Sequence, residues 1–351
     1  MNEPRMYATA RFVTLAALCL STAPSALAAS PYPNTSNFGV PFSKDETWYQ
    51  QCIRVEKLKA PAMPAVSEPC DASGLYYTKR SQAVTSQAEW NKVRACAITR
   101  ADNSVLMMLY ANGFGVQRNA DMAIHYACGL EFIAKSEMEH RIEHLAAAAR
   151  SDVAFDQCDD ITSGYMGSVC AEIKERQDQR TRVARLDRAV SALPPASRSA
   201  FAKLRKAAER YANEAMGEDD MQGTAAPALA MAHGGRLREE FMQAALDTAS
   251  GKLPAASAEE YAQRDAELNA LYKEVMSAPT ARADWPDNIG DSTISHAAIR
   301  KTERLWLAYR DAFVAYVATV PSAPDPVAVK ALLTSQRIAG LAMVARYRSP
   351  I

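Results

Sequence analysis

Glu303-Arg304-Leu305-Trp306-Leu307-Ala308-Tyr309-Arg310-Asp311-Ala312 is the stretch whose reading decides the fold. Carried on to Tyr316, it places Trp306, Tyr309, Phe313 and Tyr316 at helical spacing. One face of a helix gathers those four rings, whereas a strand would scatter them over both faces. Such a stripe suits helix packing better than a ligand-stacking box. Arg310 and Asp311 flank it. An internal pairing, with Arg310 reaching a carboxylate or a helix C-terminus, suits them better than a partner-binding role. Upstream, Leu268, Leu271, Tyr272 and Val275 repeat the i, i+3, i+4, i+7 spacing of a buried helix stripe.

Working outward, helix formers dominate beyond Ser86 and β-branched runs almost vanish. An all-α fold over 86–350 without a substantial sheet is the expectation. The chain is 48% apolar and 23% charged, which fits a globular protein and excludes a wholly disordered one. Lys+Arg and Asp+Glu both number 40, so no global charge excess points to nucleic acid or to basic ligands. At 351 residues the chain exceeds one typical domain.

Residues 1–28 read as a secretory signal: Arg5 and Arg11, the apolar stretch Phe12 to Leu20, then Ala26-Leu27-Ala28 with cleavage after Ala28. The apolar stretch is too short to span a membrane, and Leu18 stands before Cys19 where a lipoprotein site needs a small residue. No spanning run is expected further on. The mature protein is therefore expected in the periplasm or outside the cell. Cys52, Cys70, Cys96, Cys128, Cys158 and Cys170 remain, an even set suited to disulfides in an oxidising compartment. All six lie in the N-terminal half of the mature chain. Residues 29–85 read as a Pro-rich, irregular N-terminal segment.

Two helices are expected to begin near Ser86 and Asn119, carrying Ala95-Cys96-Ala97 and Ala127-Cys128-Gly129 at positions 32 residues apart. Between them lies Leu109-Tyr110-Ala111-Asn112-Gly113-Phe114-Gly115-Val116, followed by Ala120, Ala123 and Ala127. Gly113 and Gly115 permit a tight interhelical turn, and Ala123 and Ala127 at i, i+4 permit close packing. This stretch resembles the Sel1-like repeat, a relative of the tetratricopeptide repeat, and marks 86–150 as a region of helical hairpins. Equivalent helices of stacked repeats lie side by side. Cys96 is therefore expected to pair with Cys128. By elimination and proximity, Cys158 is expected to pair with Cys170, and Cys52 with Cys70.

A longer duplication follows, with modules at 151–250 and 251–351. Arg185-Leu186-Asp187 corresponds to Glu267-Leu268-Asn269, Leu204-Arg205-Lys206 to Ile299-Arg300-Lys301, and Gly235-Arg236-Leu237 to Gln336-Arg337-Ile338. The second copy carries an extra Pro/Gly-containing loop, Ala278 to Asp291. Its stretches Asp265 to Lys273 and Glu303 to Ala312 resemble the two signature helices of the lysozyme-inhibitor LprI-like domain. The motif residues are Leu268, Asn269, Tyr272, Trp306, Tyr309, Arg310 and Asp311. The first copy resembles it more weakly, through Cys158, Thr162, Cys170 and Leu186-Asp187. The resemblance implies a small exported helical domain, with inhibition of lysozyme among the family's activities. Val314 stands where family members carry a cysteine, and its partner cysteine is absent too, consistent with a deleted bridge.

His140-Arg141-Ile142-Glu143-His144 matches the inverted zinc-peptidase pattern, with His140 and His144 able to share a metal on one helix face. Within the charged helix 136–150 it reads better as a solvated face. Glu218-Asp219-Asp220 reads as a polar loop after a helix. No catalytic, cofactor-binding or metal-binding set is assigned, and no cofactor is expected. The expected partner is a protein of the cell envelope, a lysozyme by resemblance. A Sel1-like envelope scaffold and a zinc hydrolase using His140 and His144 are the alternatives.

Overall fold

The computed structural model describes residues 31–148, 153–321 and 325–348; the expected signal segment, residues 1–28, lies outside them. The fold is all-α. Among the described residues there is no strand, only two isolated β-bridges, Thr280–Gly290 and Asn288–Ser295.

Six helices build an N-terminal body: α1 (Thr47–Val55), α2 (Ala72–Arg80), α3 (Gln87–Thr99), α4 (Asn103–Asn112), α5 (Ala120–Cys128) and α6 (Lys135–Ala148). The starts of α3 and α5 are written in local chemistry. Ser86 closes a capping box with Glu89, and the Asn119 side chain accepts from the Met122 amide. Gly113 ends α4 in the left-handed region at φ 73°, and Gly115 follows at φ 69°. A Cβ at Gly115 would run into Trp90, so the glycine lets Phe114 stack on that indole at 4.9 Å between centroids. Helices α1 and α2 lie inside the segment read as Pro-rich and irregular. Both are only nine residues long. Stretches that short have weak intrinsic helicity, and tertiary packing of Trp48, Cys52, Val55, Tyr76 and Tyr77 holds them.

The disulfides correct the expected pairing. Cys158 joins Cys170 across a loop, as the spacing suggests. However, Cys52 joins Cys128 and Cys70 joins Cys96, so neither Cys96–Cys128 nor Cys52–Cys70 forms. The reason is that α5 packs on α4, α1 and α6 rather than chiefly on α3. Helix α1 therefore presents Cys52 to Cys128. The Pro-rich connection from α1 to α2 then returns along α3. There the Val66 amide donates to Thr99 Oγ1 at 3.0 Å, and Cys70 meets Cys96.

Helices α7 (Gly164–Ser191), α8 (Pro195–Ala215), α9 (Ala226–Ala249), α10 (Ala258–Met276), α11 (His296–Val317) and α12 (Pro326–Val344) form the second part. Helix α7 packs on α9, α10 on α12, and α8 on α11. The two expected modules do not stand apart. Phe201, Leu204, Tyr211 and Phe241 share one continuous core with Val275, Ile299, Trp306, Tyr309, Phe313 and Tyr316. The division between cores falls instead within α7, whose Ile173 belongs to the N-terminal core and Leu186 to the C-terminal one.

Helix α12, with the 3-10 turn Ala345–Arg348 that follows it, is long and apolar enough to cross a membrane by length and composition, contrary to the expectation from sequence. Here Ala328, Val329, Ala331, Leu333, Leu341 and Val344 are buried in the bundle, and Arg337 sits among them. This is the placement of a core helix.

Candidate functional site

The His140–Glu143–His144 motif does not converge on one point. His140 and Glu143 are exposed, whereas the His144 Nδ1 faces both oxygens of Asp160 at 3.1 and 3.2 Å and its ring lies edge-on to Phe155. Among the described residues no three His, Cys, Asp or Glu side chains are grouped to hold a metal. Nor is the helix wholly a solvated face. Glu137 and Arg141 are fully buried, 0% and 1% exposed, and pair at 3.0 Å. Arg141 also donates to the Gln157 carbonyl at 2.7 Å, and Glu137 accepts from Ser163 Oγ at 3.2 Å. The pair thus fastens the loop 157–163, with its Cys158–Cys170 bridge, to α6. Burial pulls the Arg141 pKa down and the Glu137 charge opposes it.

The acidic run after α8 is also structural. Glu218 is buried and takes both terminal nitrogens of Arg337 at 2.7 and 2.8 Å, while Arg337 Nε donates to Glu303 at 2.8 Å. Burial opposes the Arg337 charge, but Glu218, Tyr211 and Glu303 outweigh it and hold its pKa well above the ordinary value. Asp219 accepts from His233 Nδ1 at 2.7 Å, and Asp220 accepts from the Thr293 amide and hydroxyl at 3.0 Å. Side chains from three elements partner this run, of which Glu218 alone is buried, and helical periodicity carries no sign of that.

The motif residues divide by chemistry. Leu268, Trp306 and Tyr309 are buried, with Trp306 only 2% exposed. Tyr272 is half-buried. Burial raises the Tyr309 pKa well above the usual phenol value. Of the polar members, Asn269 and Asp311 are exposed, whereas the Arg310 side chain is largely covered. Asn269 donates to the Asp265 carbonyl at 2.7 Å. Arg310 lies over the Trp306 ring at 5.3 Å and donates to the exposed Asp311 carboxylate at 3.1 Å. The motif therefore describes a helix-packing core with a polar rim rather than one convergent pocket.

Among the described residues, a cleft and a projection of the C-terminal bundle stand out as contact features. A cleft of about 480 Å³ lies between α7 and α9, with Lys174, Arg185 and Arg236 set against Asp178 and Glu239. At Gly235 the Glu175 carboxylate comes close: a Cβ there would lie 2.6 Å from Oε2, the movable end of that side chain. The cleft's charges are mixed and no single ligand chemistry follows from them.

The projection is the connection from α10 to α11. Its neck is closed by backbone bonds, Ala281 N to Gly290 O at 2.8 Å and Gly290 N to Pro279 O at 2.9 Å. Ile289 and Ile294 are fully buried and anchor its base. Gly290 has φ 55°, and any Cβ there would run into the Tyr347 carbonyl. His296 places Nδ1 2.7 Å from the Asp287 carbonyl and Nε2 3.1 Å from the Ala278 carbonyl, clamping both sides of the neck. At the tip the Arg282 guanidinium lies 3.7 Å over the Trp285 ring and pairs with Asp284 at 2.8 Å. That hydrogen bond holds the Asp284 pKa below its ordinary value. Neither Arg282 nor Trp285 belongs to a helical stripe, so the periodicity that exposes the core passes over them. The one signal present is a tryptophan in a Pro/Gly-bounded loop, where no core position accounts for it.

No curated protein and no solved structure matches the chain. Residues 242–341 match the family described as lysozyme inhibitor LprI, a span from the end of α9 through most of α12 that holds every motif residue and the whole α10–α11 loop. The region expected to be Sel1-like and nearly all of the first expected copy lie outside that span.

Proposed function

We propose that this is an exported, non-enzymatic protein-binding protein of the cell envelope whose C-terminal bundle inhibits a muramidase. The observation that carries the reading is the family match over 242–341, where the chain is similar to lysozyme inhibitors. Three disulfides support an oxidising compartment, since such bridges persist there and are rare in reducing cytosol. A signal segment at 1–28 is part of the reading. So is a duplicated three-helix unit: α7–α9 and α10–α12 pair alike on either side of the central α8–α11 pair. The test is an assay of cell-wall lysis by hen-type lysozyme with the mature chain added in molar excess. Dose-dependent loss of lysis is the expected result, and unchanged lysis refutes the inhibitor reading.

A scaffold reading rests on a different observation. The hairpin of α4 and α5, with left-handed Gly113 and Gly115 at its turn, has the geometry expected of a Sel1-like unit. In that reading the N-terminal body binds an envelope protein and the bundle is structural. Capture of the same envelope partner by chains altered in either body separates the two.

A further inference from the structure

Resting on the inhibitor reading, we propose that the α10–α11 loop tip, Arg282 with Asp284 and Trp285, is the element that enters the muramidase's substrate cleft. The rest of the matched span offers less. The aromatic motif is buried, the acidic run at 218–220 is taken up by Arg337, His233 and Thr293, and Asn269, Arg310 and Asp311 are satisfied on helix faces. The loop differs in three respects.

It is fixed before binding. Two backbone bonds close the neck, and Thr280 Oγ1 donates to the Trp285 carbonyl at 2.9 Å across the tip. Asn288 Nδ2 donates to the Ser292 carbonyl at 3.0 Å, and Gln222 reaches the Asp291 carbonyl at 2.9 Å from the neighbouring loop. A protein-binding loop ordered in advance loses less conformational entropy on docking.

Its tip also projects. The Arg282 and Asp284 side chains are 40% and 62% exposed although they contact one another. The buried side chains of the segment, Ala278, Ile289, Ser292 and Ile294, lie at its two ends rather than at the tip, where Trp285 is half-buried.

Finally, the chemistry fits the cleft. Glycoside hydrolases place two carboxyl groups across the scissile bond. Arg282 gives Nε and one Nη2 hydrogen to Asp284 at 3.2 and 2.8 Å. Three of a guanidinium's five N–H donors then remain for cleft carboxylates. Of the neighbouring carboxylates, Asp291 lies within electrostatic reach of Arg282. Asp284 is held by Arg282. Asp287 turns back to the Ala297 amide at 3.0 Å and lies 3.7 Å from Arg300. Aromatic and arginine side chains dominate binding hot spots, and here the two are stacked together.

The experiment measures inhibition of hen-type lysozyme on a cell-wall suspension by the full mature chain, with tri-N-acetylchitotriose as a cleft-directed competitor. Four variants are compared: Arg282→Glu, Trp285→Ala, Trp285→Phe and, on the motif rim, Arg310→Ala with Asp311→Ala. The proposal expects inhibition by the unaltered chain that is mutually exclusive with the trisaccharide, itself a cleft inhibitor, so that the trisaccharide raises the chain's apparent inhibition constant in proportion to its own occupancy. It expects at least about a 30-fold weaker inhibition constant for Arg282→Glu and Trp285→Ala, equivalent to about 2 kcal/mol. Trp285→Phe recovers most of the loss, the rim variant inhibits normally, and the melting curves of the tip variants overlay that of the unaltered chain because the tip carries no core contact. Full inhibition by the tip variants overturns the loop assignment and leaves the inhibitor reading standing. Inhibition untouched by the trisaccharide does the same. No inhibition by the unaltered chain overturns both. Sedimentation of the chain with insoluble peptidoglycan in the absence of enzyme, abolished by Trp285→Ala, overturns the proposal in favour of a glycan-binding tip.

Discussion

The N-terminal body and the C-terminal bundle reach stability by different routes. The body is made of short helices, nine to fourteen residues each, and carries two disulfides, while the third, Cys158–Cys170, ties the loop after α6 to the start of α7. The bundle is made of helices of nineteen to twenty-eight residues and carries no cysteine beyond Cys170. Short helices bury little surface apiece and leave many chain ends to order, so covalent closure of the unfolded chain matters more there. Long helices that interdigitate around aromatic side chains need no such closure. Helix α7 belongs to both, which makes it the mechanical link between them.

The largest effect that can break this comparison is reduction. The Cys52–Cys128 bridge spans 76 residues, and chain-entropy closure of a loop of that size is worth about 4–5 kcal/mol, against about 3 kcal/mol for the 12-residue Cys158–Cys170 loop. Calorimetry in reductant should lower the transition of the N-terminal body and leave that of the bundle in place. A joint downward shift would mean that α7 couples the two into one cooperative unit.

Within the bundle, Trp306→Ala should cost about 3–5 kcal/mol, because a fully packed indole leaves a large cavity. The bundle's transition alone should fall in a thermal melt. An unchanged melt would place Trp306 on a binding surface and contradict its burial.

Replacing Arg337 by Met strands the buried Glu218 carboxylate, and breaking such a pair costs about 3–5 kcal/mol. Adding Glu218→Gln should recover much of that loss, since the uncompensated charge is then gone. Urea denaturation of the single and double variants measures both. A double variant as unstable as the single one would show that geometry, not charge, is what Arg337 supplies.

Acid should distinguish the two regions more gently. The hydrogen bond from Lys135, with Ser43 and Trp48, lowers the Glu46 pKa to about 2, and the hydrogen bond from Lys79, with Ser86, does the same for Glu89. A carboxylate depressed in the folded state stabilises above its unfolded pKa of 4.5, and that stabilisation is lost as pH falls toward about 2. The N-terminal transition should therefore drop across that window, with a shallower slope in Glu46→Gln and Glu89→Gln. The pairs are partly exposed to solvent, so salt should flatten the slope further.

The smallest effect concerns the histidines. His140→Ala should change stability by no more than about 0.5 kcal/mol, as for an exposed residue. His144→Ala should cost slightly more through its lost contact with Asp160, about 1 kcal/mol at most. Thermal melts at a single pH that separate the two variants would confirm their different surroundings.

How much of this was legible can be argued residue by residue. Ser86 and Asn119 announce helix starts, and Gly113 announces a helix end, because capping and left-handed turns are chemistry among near neighbours in the chain. The stripe Trp306, Tyr309, Phe313 and Tyr316 announces a buried face for the same local reason. Helices α1 and α2 were not legible, since their stability comes from Trp48 and Tyr76 packing against distant partners. The loop tip was legible as an insertion but not as a site, because a loop has no period from which a projecting side chain stands out.

By itself, then, the amino-acid sequence determined the helical class, the long helices, their buried stripes, and the confinement of cysteines to one half. Each of these follows from short-range spacing or from composition. Tertiary structure alone decided that Cys52 meets Cys128, that Glu218 leaves its acidic run to bind Arg337, and that α8 pairs with α11 to merge two apparent modules into one core. Those outcomes depend on which helix faces come together across 70 to 120 residues of chain. Spacing says which face of a helix is apolar, but the choice of neighbour rests on the fit of whole surfaces.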